Sequence, residues 1–281
     1  YIGISNFAVI DSIFESVSGY TTTGITIIKH PSELPASLKL FRSTTQWVGG
    51  VGILALFLVI TLGNISGSYP LFSSEAHKIE GTRISPSFKL SLLIMWKIYL
   101  LLTSLSFILY FISGMGVFGA LNHALTTVST GGFSVYDDSF GSCDIYQKIS
   151  SAVMMLLGGT NFMLIYRFIT KQKNCINSEF KLYVAIFFLA TLLIYFSEGE
   201  PLHNIAFQVA SVLSSAGYEI HGLSDFKPQS RAVFYLLMFI GGCVGSTAGG
   251  LKIMRFNIWL SSLASMIKRH ALPPGAVSPV V

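Results

Sequence analysis

Three short clusters of hydroxyl residues and glycine carry the chemistry open to this sequence: Thr21-Thr22-Thr23-Gly24, Val128-Ser129-Thr130-Gly131 and Ser214-Ser215-Ala216-Gly217. Serine and threonine hydroxyls and backbone carbonyls are hard oxygen ligands, able to replace the water around a dehydrated alkali cation. Glycine reaches φ > 0 at no steric cost, as a row of carbonyls turned to one side can require. Such chemistry needs no nucleophile, no covalent step and no resident metal. From the residues alone the expected function is selective passage of a monovalent cation.

The elements that must position these clusters can be read from the same stretches. Aligned without gaps on the glycine, Phe14 to Gly24, Leu121 to Gly131 and Phe207 to Gly217 are each a helical stretch ending in small residues. A helix of roughly 10–14 residues is too short to cross a bilayer and reads as re-entrant. Non-helical backbone at membrane depth is tolerated only where it is buried or lines a water-filled cavity. Each short helix also directs the partial negative charge of its C-terminus at the loop that follows. Beyond each loop comes an apolar helix with a Gly-Gly pair, Gly49-Gly50, Gly158-Gly159 or Gly241-Gly242, lying 25, 27 and 24 residues after the aligned glycine. The repeating unit is span, short helix, loop, span. Glycine, serine and threonine also serve ordinary close packing of membrane helices. Three clusters in matched surroundings favour the functional reading.

The rest of the chain fits this class. Of 281 residues 52% are hydrophobic and 11% charged, far below the ~25% charged of soluble domains; mean hydropathy is +0.64. The predicted fold is an all-α polytopic membrane protein with spans at 43–62, 90–113, 150–170, 182–197 and 231–252. The predicted organisation is repeat 1 over 1–62, a loop at 63–89, repeat 2 over 90–170, a loop at 171–181, repeat 3 over 182–267 and a closing segment, 268–281. The loops at 63–89 and 167–181, with Lys97 and everything from Lys252 on, hold 12 of the 18 Lys and Arg but only the acids Glu75, Glu80 and Glu179. Basic loops stay in the cytoplasm, which puts the three clusters outside. The opposite, acidic face would concentrate cations at an entrance. Tyr1 is not an initiator methionine, and a chain starting within a larger protein is the expectation.

Gly241, Gly242, Gly245, Gly249 and Gly250, with Ser246, Thr247 and Lys252, interrupt the last span. Each glycine costs a helix about 1 kcal/mol relative to alanine, so a flexible break near the third loop is predicted. Gly245 to Gly250 has the spacing of a phosphate loop, but Leu251 stands where the lysine is needed. Cys143, Cys175 and Cys243 form no metal or disulfide pattern. His123, His203 and His221 read as ordinary hydrogen-bonding residues. Glu15, in the first short helix, is either a functional charge or an anchor for its loop, since an ionisable group at that depth is costly. No catalytic constellation and no ATP-hydrolysing domain is recognisable.

The sequence resembles the TrkH branch of the Trk/Ktr/HKT potassium transporter superfamily. The motifs are Ser18-Gly-Tyr-Thr-Thr-Thr-Gly24, Gln46-Trp-Val-Gly-Gly-Val-Gly-Ile53, Thr127-Val-Ser-Thr-Gly-Gly-Phe-Ser134 and Phe239-Ile-Gly-Gly-Cys-Val-Gly-Ser-Thr-Ala-Gly-Gly-Leu-Lys252. The resemblance implies four pore repeats around one pathway, with Gly24, Gly131 and Gly217 as filter glycines and the fourth loop beyond Val281. It implies potassium as substrate and as the ion held at the filter residues, with no covalently bound cofactor. It further implies an intramembrane gating loop at 241–252, a homodimer, a cytoplasmic nucleotide-binding regulatory subunit like TrkA, and a prokaryotic inner-membrane address. The third cluster, Ser-Ser-Ala-Gly, departs from Thr-Thr-Thr-Gly in having fewer hydroxyls. Rival readings are a sodium-permeable or ion-coupled carrier (a symporter), and a non-transport membrane subunit whose glycines only pack helices.

Overall fold

A computed structural model describes residues 7–62, 88–172 and 176–271. Most of the expected loop 63–89, part of 171–181 and the end of 268–281 lie outside the described residues, as does Cys175. Among the described residues the fold is helical, with no strand and one isolated bridge between Ile240 and Leu251.

The three helices that lead into the clusters are each 12 residues long: α1 (Val9–Tyr20), α4 (Val117–Val128) and α8 (Leu202–Leu213). At 1.5 Å per residue each is about 18 Å, well short of a ~30 Å hydrocarbon core. Around them stand longer helices, α2 (Ala36–Leu62), α3 (Phe88–Ile112) and α7 (Ser178–Glu198). Two parts, 93–112 of α3 and all of α7, are long and apolar enough to cross a membrane among the described residues. Among the described residues Leu101, Ile108, Phe111 and Ile112 on α3 and Phe188, Leu189, Leu192 and Phe196 on α7 form exposed apolar bands. Such apolar bands are rare on water-facing surfaces and suit a lipid neighbour.

The expected single span at 150–170 is two helices, α5 (Ile145–Gly158) and α6 (Phe162–Ile169), meeting at 102°. The bend has a local cause. The Gly159 carbonyl accepts from the Cys243 amide at 2.8 Å, and Asn161 Oδ1 caps the new helix by accepting from the amides of Met163 and Leu164. A capped start is worth about 1 kcal/mol, and the glycine pair offers little resistance to the break. The last expected span is interrupted: α9 (Pro228–Phe239) stops, residues 240–252 are non-helical, and α10 (Ile253–Ala271) follows. Gly199, at φ +77°, ends α7 in the left-handed conformation that favours glycine.

The short helices are packed into the core. Helix α4 lies against α2, α3 and α5, and α8 against α5, α7 and α9. Between α4 and α8 the rings of Phe140, Phe207 and Tyr218 meet at centroid distances of 4.8–5.0 Å. Burying such rings contributes a few kcal/mol each. This aromatic wedge holds two of the short helices in a fixed relation.

Candidate functional site

All three short helices end in the same way. The amides of Thr23, Gly131 and Ala216 donate to the carbonyls of Ser18, Thr126 and Ser211 at 2.8–3.0 Å. That is a bond across five residues, the mark of a Schellman turn, in which the residue before the donor is left-handed and is usually glycine. Here that residue is Thr22 (φ +52°), Thr130 (φ +51°) or Ser215 (φ +55°). For an L-residue this conformation costs about 1–2 kcal/mol, and it recurs at the same step of all three turns. Two residues on, Gly24, Gly132 and Gly217 take φ +79°, +82° and +79°. The backbone register therefore sets Gly132 opposite Gly24 and Gly217. The ungapped alignment on Gly131 is one residue out in the second segment, and Val128 is the last residue of its helix and not part of the loop.

These turns leave backbone oxygens without partners. The carbonyls of Thr22, Thr130 and Ser215, and of Gly24, Gly132 and Gly217, accept no hydrogen bond from described residues. Buried carbonyls are nearly always paired, and Thr130 is 2% exposed. At each of two register positions, then, all three loops carry a carbonyl without a partner among the described residues. Some neighbouring carbonyls are used, Ser129 O by the Thr130 hydroxyl at 2.7 Å, Ser214 O by the Ser215 hydroxyl at 2.6 Å, and Gly131 O by Gln46 Nε2 at 2.6 Å, whereas those of Thr21, Thr23 and Ala216 also accept none from described residues.

The loops meet in a fixed order. A Cβ on Gly24 would overlap the Gly131 carbonyl oxygen, and one on Gly132 would overlap that of Ala216. A Cβ on Gly217 would meet nothing within 4 Å. Each loop thus presses its left-handed glycine on the next, and the third faces open space. The Gly-Gly helices follow the same order. The first glycine of a pair lies against the end of its own short helix (Gly49 on Tyr20 O, Gly158 on Val128 O), and the second against the next loop (Gly50 on Ser129, Gly159 on Ser214). The middle loop is accordingly buried, whereas Thr21, Thr23 and Gly217 on its flanks are exposed.

The segment 240–252 is docked on the third loop and on the ends of α4 and α5. Thr247 Oγ1 donates to Val128 O at 2.9 Å and to Gly158 O at 3.2 Å. The Gly249 amide donates to Ser215 Oγ at 2.6 Å. On its other side Glu179 Oε1 accepts from the Val244 amide at 2.7 Å, and the Gly245 carbonyl accepts from the Phe162 amide at 3.1 Å. Ser246 Oγ donates to Cys243 O at 2.6 Å, and Lys252 Nζ donates to Ala248 O. Gly241 and Gly242 depart from the other pairs. A Cβ on either would strike the segment itself, at Gly249 O and Ala248 respectively, and Gly250 has φ +75°.

Gln46, Glu15 and Arg42 build the frame around the loops, and of these only Arg42 is not singled out by the sequence. Gln46 grips the second loop twice, its Oε1 also accepting from the Phe133 amide at 3.1 Å. Glu15 and Arg42 form a buried ion pair at 3.6 Å, and the Arg42 guanidinium lies 4.2 Å from the centre of the Phe133 ring. Glu15 serves as a loop anchor, accepting from Thr26 Oγ1 and the Ile27 amide. His123 is buried, while His203 and His221 lie outside these contacts. The helical register of 3.6, applied backwards from each cluster, is the signal that could have found Glu15 and His123 together.

The family model TrkH, cation transport protein, matches residues 2–195 and 190–281. An uncharacterized cation transporter of Methanocaldococcus jannaschii is 34% identical over 278 residues, 99% of this chain and 58% of that protein. The Trk system potassium uptake protein TrkH of Vibrio parahaemolyticus is 31% identical, over 95% of this chain and 59% of its own length. The crystal structure of the potassium transporter TrkH from Vibrio parahaemolyticus superposes with a TM-score of 0.82 at 28% identity, over 98% of this chain and 58% of that one. This chain spans a little under three fifths of these relatives.

Proposed function

This chain belongs to the TrkH family of cation transport proteins, and from that premise we propose that it supplies three quarters of a potassium-selective filter. The single observation that carries the reading is that carbonyls without a partner among the described residues recur in all three loops at Thr22, Thr130 and Ser215 and at Gly24, Gly132 and Gly217; we read them as two tiers lining the pathway. A dehydrated potassium ion held between such tiers exchanges water oxygens for carbonyl oxygens of similar strength. The C-terminal ends of α1, α4 and α8 add partial negative charge at the same place. The strained turns are what the geometry costs, and they persist because the packing around them is over-determined. Potassium is the substrate, consistent with the names of the relatives.

The open side of Gly217 is the place for a fourth loop, from the part of the protein that the longer relatives have and this chain does not span. In this reading the filter faces outward in a prokaryotic inner membrane, the basic segments face the cytoplasm, and a nucleotide-binding subunit like TrkA acts on that side of a homodimer. The docked segment 240–252 is the gate: its contacts at Thr247 and Gly249 hold it against the ends of α4 and α5 and the third loop, and releasing them opens the pathway.

The test is uptake into liposomes by the full-length protein, with potassium and sodium compared and no second ion gradient. Selective potassium flux down its own gradient supports a channel-like filter. A fixed requirement for sodium or protons would make the protein a symporter. Equal passage of both ions would refute the potassium filter.

A further inference from the structure

Five residues before the end of each short helix stand Glu15, His123 and Gln208. Their chemistries differ, yet their exposures are 0%, 0% and 2%. All three reach across to the chain that leaves the loop. Glu15 Oε1 accepts from Thr26 Oγ1 at 2.5 Å and from the Ile27 amide at 2.7 Å. Gln208 Oε1 accepts from the Ile220 amide at 3.2 Å. His123 Nε2 lies 3.1 Å from Ser134 Oγ. Measured from the left-handed glycines, Thr26 and Ser134 are two residues on, and Ile27 and Ile220 three. The His123 Nδ1 atom lies 2.9 Å from Gly119 O; a carbonyl only accepts, so Nδ1 carries its proton and Nε2 is turned to the loop.

We propose that Glu15, His123 and Gln208 are positioning residues that fix the outgoing leg of each loop, and through it the spacing of the two carbonyl tiers. The inference rests on the filter reading and deepens it. Buried polar side chains are expensive unless fully partnered, and an apolar residue at the same depth would usually be no less stable. Three polar residues at one helical position, each aimed at the same leg of its loop, are therefore explained by what they hold. The first clamp is also linked to the second loop, because Arg42 pairs with Glu15 and stacks on Phe133. A filter that tells potassium from sodium by its oxygen spacing loses that discrimination when one leg is free to drift.

The experiment compares potassium and sodium flux through the full-length protein in liposomes. The variants are His123→Leu, Gln208→Leu and Ser134→Ala, with His123→Gln as the conservative partner. The potassium-to-sodium ratio is expected to fall about fivefold or more in the first three, the factor that one lost hydrogen bond commands. His123→Gln, whose carboxamide reaches the same hydroxyl, is expected to restore much of the ratio. A leucine variant that stays monodisperse with the wild-type ratio overturns the proposal. If the leucine variants do not fold, Ser134→Ala decides: it removes the hydroxyl that His123 meets, together with that hydroxyl's bonds to Ser139 O and the Tyr136 amide on the same leg, and an unchanged ratio there overturns the proposal too. Gly132→Ala, run in parallel, separates the two readings. Its failure to alter the ratio refutes the filter, whereas a shifted ratio there beside unchanged clamp variants refutes the clamp alone.

Discussion

Replacing Thr247 by valine tests the gate through one hydroxyl. The side chains are nearly the same shape, so packing is preserved while the hydrogen bonds to Val128 O at 2.9 Å and Gly158 O at 3.2 Å are lost. The amide of Thr247 still donates to Gly158 O at 3.3 Å, so that carbonyl keeps a partner while Val128 O loses the Thr247 hydroxyl. Losing a bond of this kind costs about 1–3 kcal/mol. All of it falls on the docked state of segment 240–252, since the released segment can hydrate its threonine. At 1.4 kcal/mol per tenfold, the released fraction should rise roughly 5- to 150-fold. The assay is basal potassium flux into liposomes from the full-length protein without any regulatory subunit. The variant is expected to leak potassium faster than wild type while keeping its preference over sodium. Unchanged or slower flux from a well-folded variant would show that the segment is not a gate held by this contact.

Other outcomes follow from the same geometry. Arg42→Met strips the buried Glu15 of its ion partner, which should cost about 3–5 kcal/mol; a thermal unfolding midpoint unchanged in detergent would contradict the buried pair. Asp137 accepts from the Ser32 amide at 2.8 Å and the Ser32 hydroxyl at 2.6 Å, which hold its carboxyl below the usual range, with His30 adding to the effect. A depressed folded pKa stabilises above the unfolded value and is lost as pH falls through the folded one. Exchange protection of the Ser32 amide should therefore be steady near neutrality and decline below about pH 4; protection that falls on raising the pH instead would refute the staple. Gln46→Leu should free the Gly131 carbonyl and the Phe133 amide together, lowering potassium selectivity more than overall stability. Flux ratios and unfolding midpoints measured on one preparation would show the reverse if Gln46 only packs.

Helix periods and composition made the short helices, the apolar spans and the break at 240–252 legible, because each depends on local propensity. Register across a loop does not. Thr-Gly-Gly offers two adjacent glycines at 131 and 132, and only the φ of +82° at Gly132 distinguishes them. Gly131 is instead fixed by a contact 85 residues away in sequence, the Gln46 carboxamide. The bend at Gly158 likewise hides in an apolar run. It is set by the Cys243 amide and the Asn161 cap, and a hydropathy pattern carries neither. Arg42 reads as an outer-face charge in the sequence, yet it is 2% exposed, placed between Glu15 and the Phe133 ring. Long-range partners of this kind explain why the frame around the loops is mostly not legible in the sequence.

The most direct measurement of the central claim is the potassium-to-sodium flux ratio of Gly132→Ala against wild type, in the full-length protein. Alanine at φ +82° costs about 1–2 kcal/mol, and its Cβ would overlap the Ala216 carbonyl oxygen of the next loop. The account predicts potassium selectivity in wild type and its loss, or loss of all flux, in the folded variant. Selectivity that survives the substitution intact would contradict it.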